Sequence, residues 1–296
     1  MKLLLPIIAL FVVALLAACF AWAEAVSLLT ILAYTSFLIF AAGFVYRMMK
    51  WAKSPVPFRI PTTCGQEKSL PWIKTHPLEN PANAWGAIGR MAGEIFLFRS
   101  LFRNADVKMI GGRPVYGSAK WLWFFGLMFH GTLLLVALRH LRFFTEPILP
   151  FVNGLSALDG FFEIGVPALY LSDAALLAGL TFLFFRRVVL PQVRYISLFT
   201  DYFALLLIAA IAMTGLLMRH VYPVDLSAVK TMVAGWLVFA PVVPANAGVM
   251  LYLHLGFVFV LLAWLPWSKL IHMGGIFLSP TRSEEHTSEL QSRQSI

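Results

Sequence analysis

Four histidines lie within or beside long apolar segments, where ionisable side chains are costly and therefore usually functional. His130 and His140 lie in WLWFFGLMFHGTLLLVALRH, and His254 and His272 lie in LYLHLGFVFVLLAWLPWSKLIHMGG. A neutral imidazole is a common ligand of haem iron. The pattern therefore predicts haem ligation. The alternative is that these histidines are interfacial, or buried and bonded to backbone carbonyls.

The spacings indicate which histidines share an iron. On a helix, the ten residues from His130 to His140 span about 15 Å, with the side chains about 80° apart around the axis. The eighteen residues from His254 to His272 are five turns, so these side chains leave one face about 27 Å apart. On two antiparallel helices the simplest pairing is His130 with His272 as the inner, cytoplasmic-side pair and His140 with His254 as the outer pair. We therefore predict two haem b groups, with helix tilt absorbing the unequal rises.

Residues around the histidines fit a porphyrin. Glycines next to the four histidines would let a flat group approach the helix backbone; they are Gly126, Gly131, Gly256, Gly274 and Gly275. Three cationic residues at the membrane edges could pair with propionates, namely Arg139, Arg142 and Lys269. Ligation by Met128 or Met273 is a weaker alternative.

Composition limits the class of protein. Of the 296 residues, 60% are hydrophobic and only 12% are charged, and the mean hydropathy is +0.80. Soluble domains carry about 25% charged residues. This high hydrophobic fraction and low charged fraction exclude a soluble enzyme, a disordered chain and a nucleic-acid module. Two cysteines are too few for a disulfide framework or a four-thiolate cluster, and no C-x-x-C-H string attaches a c-type haem.

The apolar segments predict an all-α, polytopic membrane helical bundle of about six transmembrane helices, with a four- to five-helix dihaem cytochrome b core. A spanning helix needs about 20 apolar residues, and we place six at 3–22, 26–46, 121–142, 165–185, 198–218 and 249–268. The stretch 231–243 is too short to span and is expected to be interfacial or re-entrant. Segment 90–104 is expected to be an amphipathic surface helix.

The basic residues predict the orientation of the spans. Loop 47–120 holds twelve Lys or Arg against four acidic residues, whereas loop 145–164 holds no basic residue. Because cytoplasmic loops are enriched in Lys and Arg, loop 47–120 and the C-terminus should face the cytoplasm. The location is then the bacterial or archaeal cytoplasmic membrane. Topology explains the net charge of +9, so we expect no nucleic-acid partner.

The two terminal segments lie outside the predicted dihaem domain. Residues 1–24 resemble a signal peptide with cleavage boxes at Leu16–Cys19 or Ala21–Ala23, but an uncleaved transmembrane helix is the favoured interpretation. Residues 282–296 contain RSEEHTSELQS, the in-frame translation of a common sequencing adapter, and are expected to be an artefact. The dihaem domain is therefore expected at 25–281.

Other ionisable residues carry weaker expectations. His220 lies beside Arg219 at the outer end of the fifth span, where it could exchange protons with a quinone or simply be solvated. Asp201 is expected to cap its helix, with a proton relay as the lesser alternative. Asp173 also lies near a span end, and His76 has no visible partner.

The histidine spacings resemble those of the cytochrome b (gamma) subunit of respiratory nitrate reductase. Longer strings resemble still more closely the DsrM family, the cytochrome b subunit of the sulfite-reduction-associated DsrMKJOP complex. The strings are IPTTCGQEKSLPWIK (60–74), IGRMAGEIFLFRSLFRN (88–104), VYGSAKWLW (115–123), LRHLRFFTEP (138–147), LPQVRYISL (190–198) and SKLIHMGGIFLSPTR (268–282).

This resemblance implies an electron-transfer subunit of a quinone-linked oxidoreductase complex. It implies two haem b groups, menaquinone as substrate, and a cytoplasmic iron–sulfur partner of the DsrK type docked on the basic loop. It implies haem ligation by His130, His140, His254 and His272. It also implies a quinone site near the outer haem, with Arg139, His140 and His220 as candidates. The lysine that the gamma family places beside its quinone has no match here, and one N-terminal span is extra.

Two other classes of protein remain open. A transporter could use the histidines for proton relay, and a membrane anchor could dock partner subunits without redox centres. Both would be colourless, whereas haem gives a Soret band. Binding of anionic lipid by the basic loop is compatible with any of these. No P-loop, dinucleotide fingerprint or nucleophile–base set is visible.

Overall fold

The computed structural model describes residues 2–23, 26–53, 78, 81, 83–103, 105–111, 113–160, 170–242, 244 and 247–275. His76 and residues 276–296 lie outside this part of the chain, so the expectations about them are untested. The helices are α1 (Leu4–Trp22), α2 (Val26–Ala52), α3 (Ala84–Leu97), α4 (Arg99–Arg103), α5 (Lys120–His140), α6 (Pro150–Gly160), α7 (Leu171–Val189), α8 (Pro191–Ile196), α9 (Phe199–His220), α10 (Leu226–Leu237), α11 (Val249–Trp264) and α12 (His272–Gly275).

The predicted all-α, polytopic bundle is confirmed. Among the described residues, five helices are long and apolar enough to cross a membrane: Leu4–Trp22, Ser27–Ala52, Lys120–Phe143, Phe199–His220 and Val249–Trp267. The sixth predicted span, 165–185, is not among them. Its helix α7 begins at Leu171 and carries Asp173, Arg186 and Arg187 near its ends, which lowers its apolar character.

Two shorter predicted segments are helical over different bounds. The stretch 231–243 falls partly in α10, a 12-residue helix that begins earlier and is capped by the Asp225 carboxylate. Segment 90–104 is split between α3 and α4 at Phe98, whose φ of 48° ends α3 in a left-handed conformation. The backbone N–H and the hydroxyl of Ser100 both donate to the Glu94 carboxylate, at 3.0 and 2.7 Å.

The chain forms two compact units, and the larger one consists of Met1–Gly43 and Phe124–Leu270. In it, α1, α9 and α11 pack on one another, and α7 packs on α9. Phe203, Leu207 and Phe257 form a buried cluster with residues of α1. The predicted cap at Asp201 is confirmed, since its carboxylate accepts from Leu198 N at 3.0 Å. It also pairs with Lys269 at 2.9 Å.

The second unit consists of Phe44–Trp123 and Ile271–Ile296. Trp123 Nε1 donates to Leu97 O at 2.6 Å, and its ring meets Phe102 edge-on at 4.9 Å. This unit also contains the hairpin of β1 (Ala105–Ile110) and β2 (Arg113–Ser118), which are antiparallel with Ala105 opposite Ser118. Our sequence analysis did not predict these strands. The Gly111-Gly112 pair between them was the available signal, and Gly111 has a φ of 59°.

The helix that carries His254 ends before His272. After α11 come 3₁₀ turns at Leu265–Trp267 and Lys269–Ile271, and His272 starts α12. Pro266 has no backbone N–H to continue the helical ladder. The expectation that His254 and His272 share one face, five regular turns apart, is therefore wrong.

Candidate functional site

Two of the four candidate histidines come together in the larger unit. His140 is the last residue of α5, and His254 lies in the second turn of α11. Their ring centres are 6.4 Å apart and their planes differ by 10°. Two imidazoles whose Nε2 atoms face one metal ion at about 2 Å have ring centres about 6 Å apart. The observed separation of the ring centres is close to this value.

Hydrogen bonds select the ring nitrogen that is available to a metal. His140 Nδ1 lies 2.7 Å from Val136 O, and His130 Nδ1 lies 2.8 Å from Gly126 O. A carbonyl oxygen only accepts, so Nδ1 carries the proton in both rings. In the neutral imidazole the lone pair is then on Nε2. A metal-bound histidine commonly donates its other N–H in this way.

The two rings of the pair differ in exposure. The His140 side chain is exposed on the described surface of the unit, and His254 is half-buried. Among the described residues there is no cluster of three or more His, Cys, Asp or Glu that could bind a metal ion. A pair of imidazoles is instead the donor set that suits a haem, whose porphyrin supplies the other ligands. The residues present therefore fit a haem b at this place.

The inner pair is less well defined. His130 belongs to the larger unit and meets Phe129 at 4.8 Å between ring centres, whereas His272 belongs to the second unit, where it is exposed. Sharing of one iron by these two residues remains a prediction.

The predicted glycines differ in what surrounds them. A Cβ added at Gly131 would meet nothing within 4 Å, which agrees with open space beside α5. A Cβ at Gly256 would lie 3.1 Å from Ala17, and one at Gly274 would lie 2.9 Å from Met48. The latter two glycines therefore permit close packing of protein segments, which explains them without a porphyrin.

A polar cluster that sequence analysis missed lies beside His140. Arg139 forms a buried ion pair with Asp159 of α6. Asp159 also accepts from Ser172 Oγ at 2.6 Å and from Ser172 N at 3.1 Å. The guanidinium groups of Arg139 and Arg219 lie 4.2 and 3.4 Å from the centre of the Tyr170 ring. Nη1 of Arg139 is thus engaged, whereas its Nε is buried and has no hydrogen-bond partner among the described residues.

Buried N–H groups next to this cluster remain available. Arg142 donates from Nη2 to Ser156 Oγ at 2.7 Å. Within the described residues, Arg142 Nε, His220 Nε2 and Arg139 Nε are buried and have no hydrogen-bond partner. Unpaired buried polar atoms are rare in native proteins. A ligand with an oxygen acceptor or hydroxyl group would satisfy any of these atoms.

Residues 116–282, more than half of the chain, match the nitrate reductase gamma subunit family. The chain belongs to this family. The matched range includes all four candidate histidines. With the five long apolar helices, membership makes the chain a multi-pass membrane protein.

Two archaeal relatives are similar over most of the chain. Both are named Hdr-like menaquinol oxidoreductase cytochrome b-like subunit. The protein from Archaeoglobus fulgidus is 42% identical over 260 residues, which cover 86% of this chain and 78% of the relative. The protein from Archaeoglobus profundus is 38% identical over 268 residues, which cover 88% and 79%. No solved structure matches the chain.

Proposed function

We propose that this chain is the dihaem b subunit of a quinone-linked oxidoreductase complex, exchanging electrons between menaquinone and a cytoplasmic iron–sulfur subunit of the DsrK type. The observation that carries the proposal is the pair of parallel imidazoles of His140 and His254, 6.4 Å apart. Membership in the gamma subunit family and the names of the two archaeal relatives support it. The resemblance to the DsrM family supports a role of this complex in dissimilatory sulfur metabolism.

The residues of the chain have distinct roles in this proposal. His140 and His254 would hold the outer haem through Nε2, and His130 and His272 would hold the inner one. A bound haem supplies one-electron redox chemistry. The apolar helices around the ligands exclude water and lower the local dielectric, which tunes the potential. The basic residues of loop 47–120 give the partner subunit a docking surface on the cytoplasmic side, where the C-terminus also lies.

The quinone site is proposed at the outer end, next to His140. His220 Nε2, Arg142 Nε and Arg139 Nε are buried groups there that could meet a quinone oxygen. His220 would exchange a proton with the quinol hydroxyl. The ion pair with Asp159 would hold the Arg139 guanidinium in place. The same parts serve quinol oxidation and quinone reduction.

Purified protein should be coloured and contain two haems b per chain. The measurement is a dithionite-reduced minus oxidised spectrum combined with pyridine-haemochrome quantification against protein concentration. Expression in a haem-replete host ensures that supply is not limiting. Colourless protein would contradict the proposal, and would favour a histidine-based proton-coupled transporter or a membrane anchor without redox centres.

A further inference from the structure

Thr214 of α9 makes a side-chain hydrogen bond to a candidate haem ligand, His254. Its Oγ1 lies 3.0 Å from Nδ1 of His254. Thr214 is buried, with 7% of its surface exposed. Helices α9 and α11 pack on one another, so the contact lies inside the helix bundle.

The direction of this hydrogen bond follows from counting protons. Thr214 Oγ1 also lies 2.8 Å from Ala210 O and 3.0 Å from Ile211 O. Both carbonyl oxygens only accept, and the hydroxyl has a single proton to give. When that proton points to a carbonyl, Oγ1 accepts from the imidazole. Nδ1 of His254 then carries the ring proton, and the lone pair is on Nε2.

The neighbouring residue, Gly215, also lies beside the ring. A Cβ added at Gly215 would lie 3.5 Å from Cε1 and 3.8 Å from Nδ1 of His254, which is ordinary van der Waals contact. The imidazole of α11 is therefore packed against the same turn of α9 that carries the Thr214 hydroxyl.

The two ligands of the outer pair are thus oriented in different ways. His140 uses a backbone carbonyl, Val136 O, which no substitution removes. His254 uses a side-chain hydroxyl, which substitution can remove. We infer that Thr214 is a positioning residue for His254, holding the imidazole in the tautomer and rotation that present Nε2 to the outer haem. This inference rests on the proposed haem-binding function.

The decisive variant is Thr214→Val, which keeps the shape of the side chain and removes the hydroxyl. Loss of a hydrogen bond to the non-ligating nitrogen of a metal-binding histidine typically lowers the affinity for the metal by about 10- to 100-fold. We expect haem transfer from the outer site to apomyoglobin to quicken by about that factor. The midpoint potential of that haem should rise, because an imidazole without an acceptor at Nδ1 donates less electron density to iron.

Two further variants make the test specific. Thr214→Ser restores a hydroxyl and should return both readouts toward wild type. Thr132→Val is the matched control, because Thr132 Oγ1 bonds Met128 O at 2.8 Å and Phe129 O at 3.2 Å in the same manner, on α5. It should leave the outer haem unchanged. Equal effects of Thr132→Val and Thr214→Val would overturn the inference, since a generic loss of a buried hydroxyl would explain them.

His254→Ala separates failure of this inference from failure of the proposed function. The spectral component that is missing from His254→Ala belongs to the outer haem. This component then identifies which midpoint potential is that of the outer haem. If His254→Ala loses that haem while Thr214→Val matches wild type in transfer rate and potential, only the positioning role is wrong. If His254→Ala retains both haems, the ligand assignment itself is wrong.

Discussion

Replacing His254 with alanine is expected to lower the haem content from two to one per chain, and His140→Ala is expected to remove the same haem. The two imidazoles would hold the same iron, so either loss leaves only one protein ligand. Because the residues act as one unit, the double variant should lose no more haem than either single variant. Pyridine-haemochrome quantification and low-temperature difference spectra measure the number and identity of the remaining haem.

The control is His220→Ala, which removes an imidazole at the same end of the bundle without touching the pair. It should retain both haems. His130→Ala should remove the other haem, which gives a second spectral reference. Loss of different spectral components in His140→Ala and His254→Ala would contradict their pairing, even if both variants lost haem.

Asp159→Asn is expected to destabilise the protein strongly. Asp159 is 5% exposed and pairs with Arg139, itself 9% exposed. The amide keeps the size of the side chain but leaves a buried guanidinium without its counter-charge, which typically costs about 3–5 kcal/mol. It also weakens the link among α5, α6 and α7 that passes through Ser172. Thermal unfolding in detergent, followed by haem release and by tryptophan fluorescence, should show a clearly lower midpoint.

A second ion pair in the same unit provides a matched control. Lys230 pairs with Glu146, whose side chain is 77% exposed. Exposed pairs contribute about 0–1 kcal/mol, so Glu146→Gln should change the midpoint little. Equal destabilisation by the two substitutions would show that burial of Arg139 is not the cause. An Asp159→Asn midpoint at the wild-type value would contradict the importance of the cluster.

The length of the apolar runs was sufficient to predict most of the membrane-spanning helices. Long apolar runs predicted five helices that the structure contains, because a bilayer imposes both length and composition. Spacing on one uninterrupted helix was also reliable, since His130 and His140 both lie on α5. The proximity of His140 and His254 followed from an assumed antiparallel arrangement, and the structure places their rings together.

The errors have identifiable physical causes. Pro266 lies between His254 and His272 and ends the regular helix. The predicted five turns assumed an unbroken helix over 254–272. The partners of Arg139 could not be predicted, because Asp159 and Ser172 are 20 and 33 residues away and only tertiary packing brings them together. Thr214 carried no signal of its own: a threonine 40 residues from His254 is an ordinary helix residue until α9 and α11 are in contact.

The interruption after Trp264 changes how this chain can vary over evolutionary time. An insertion within α11 would rotate every later residue by about 100° per position. Of the two histidines, an insertion in the 3₁₀ turns at 265–271 would displace His272 and leave His254 in register. These turns therefore uncouple the two histidines, so that one can be repositioned while the other keeps its neighbours.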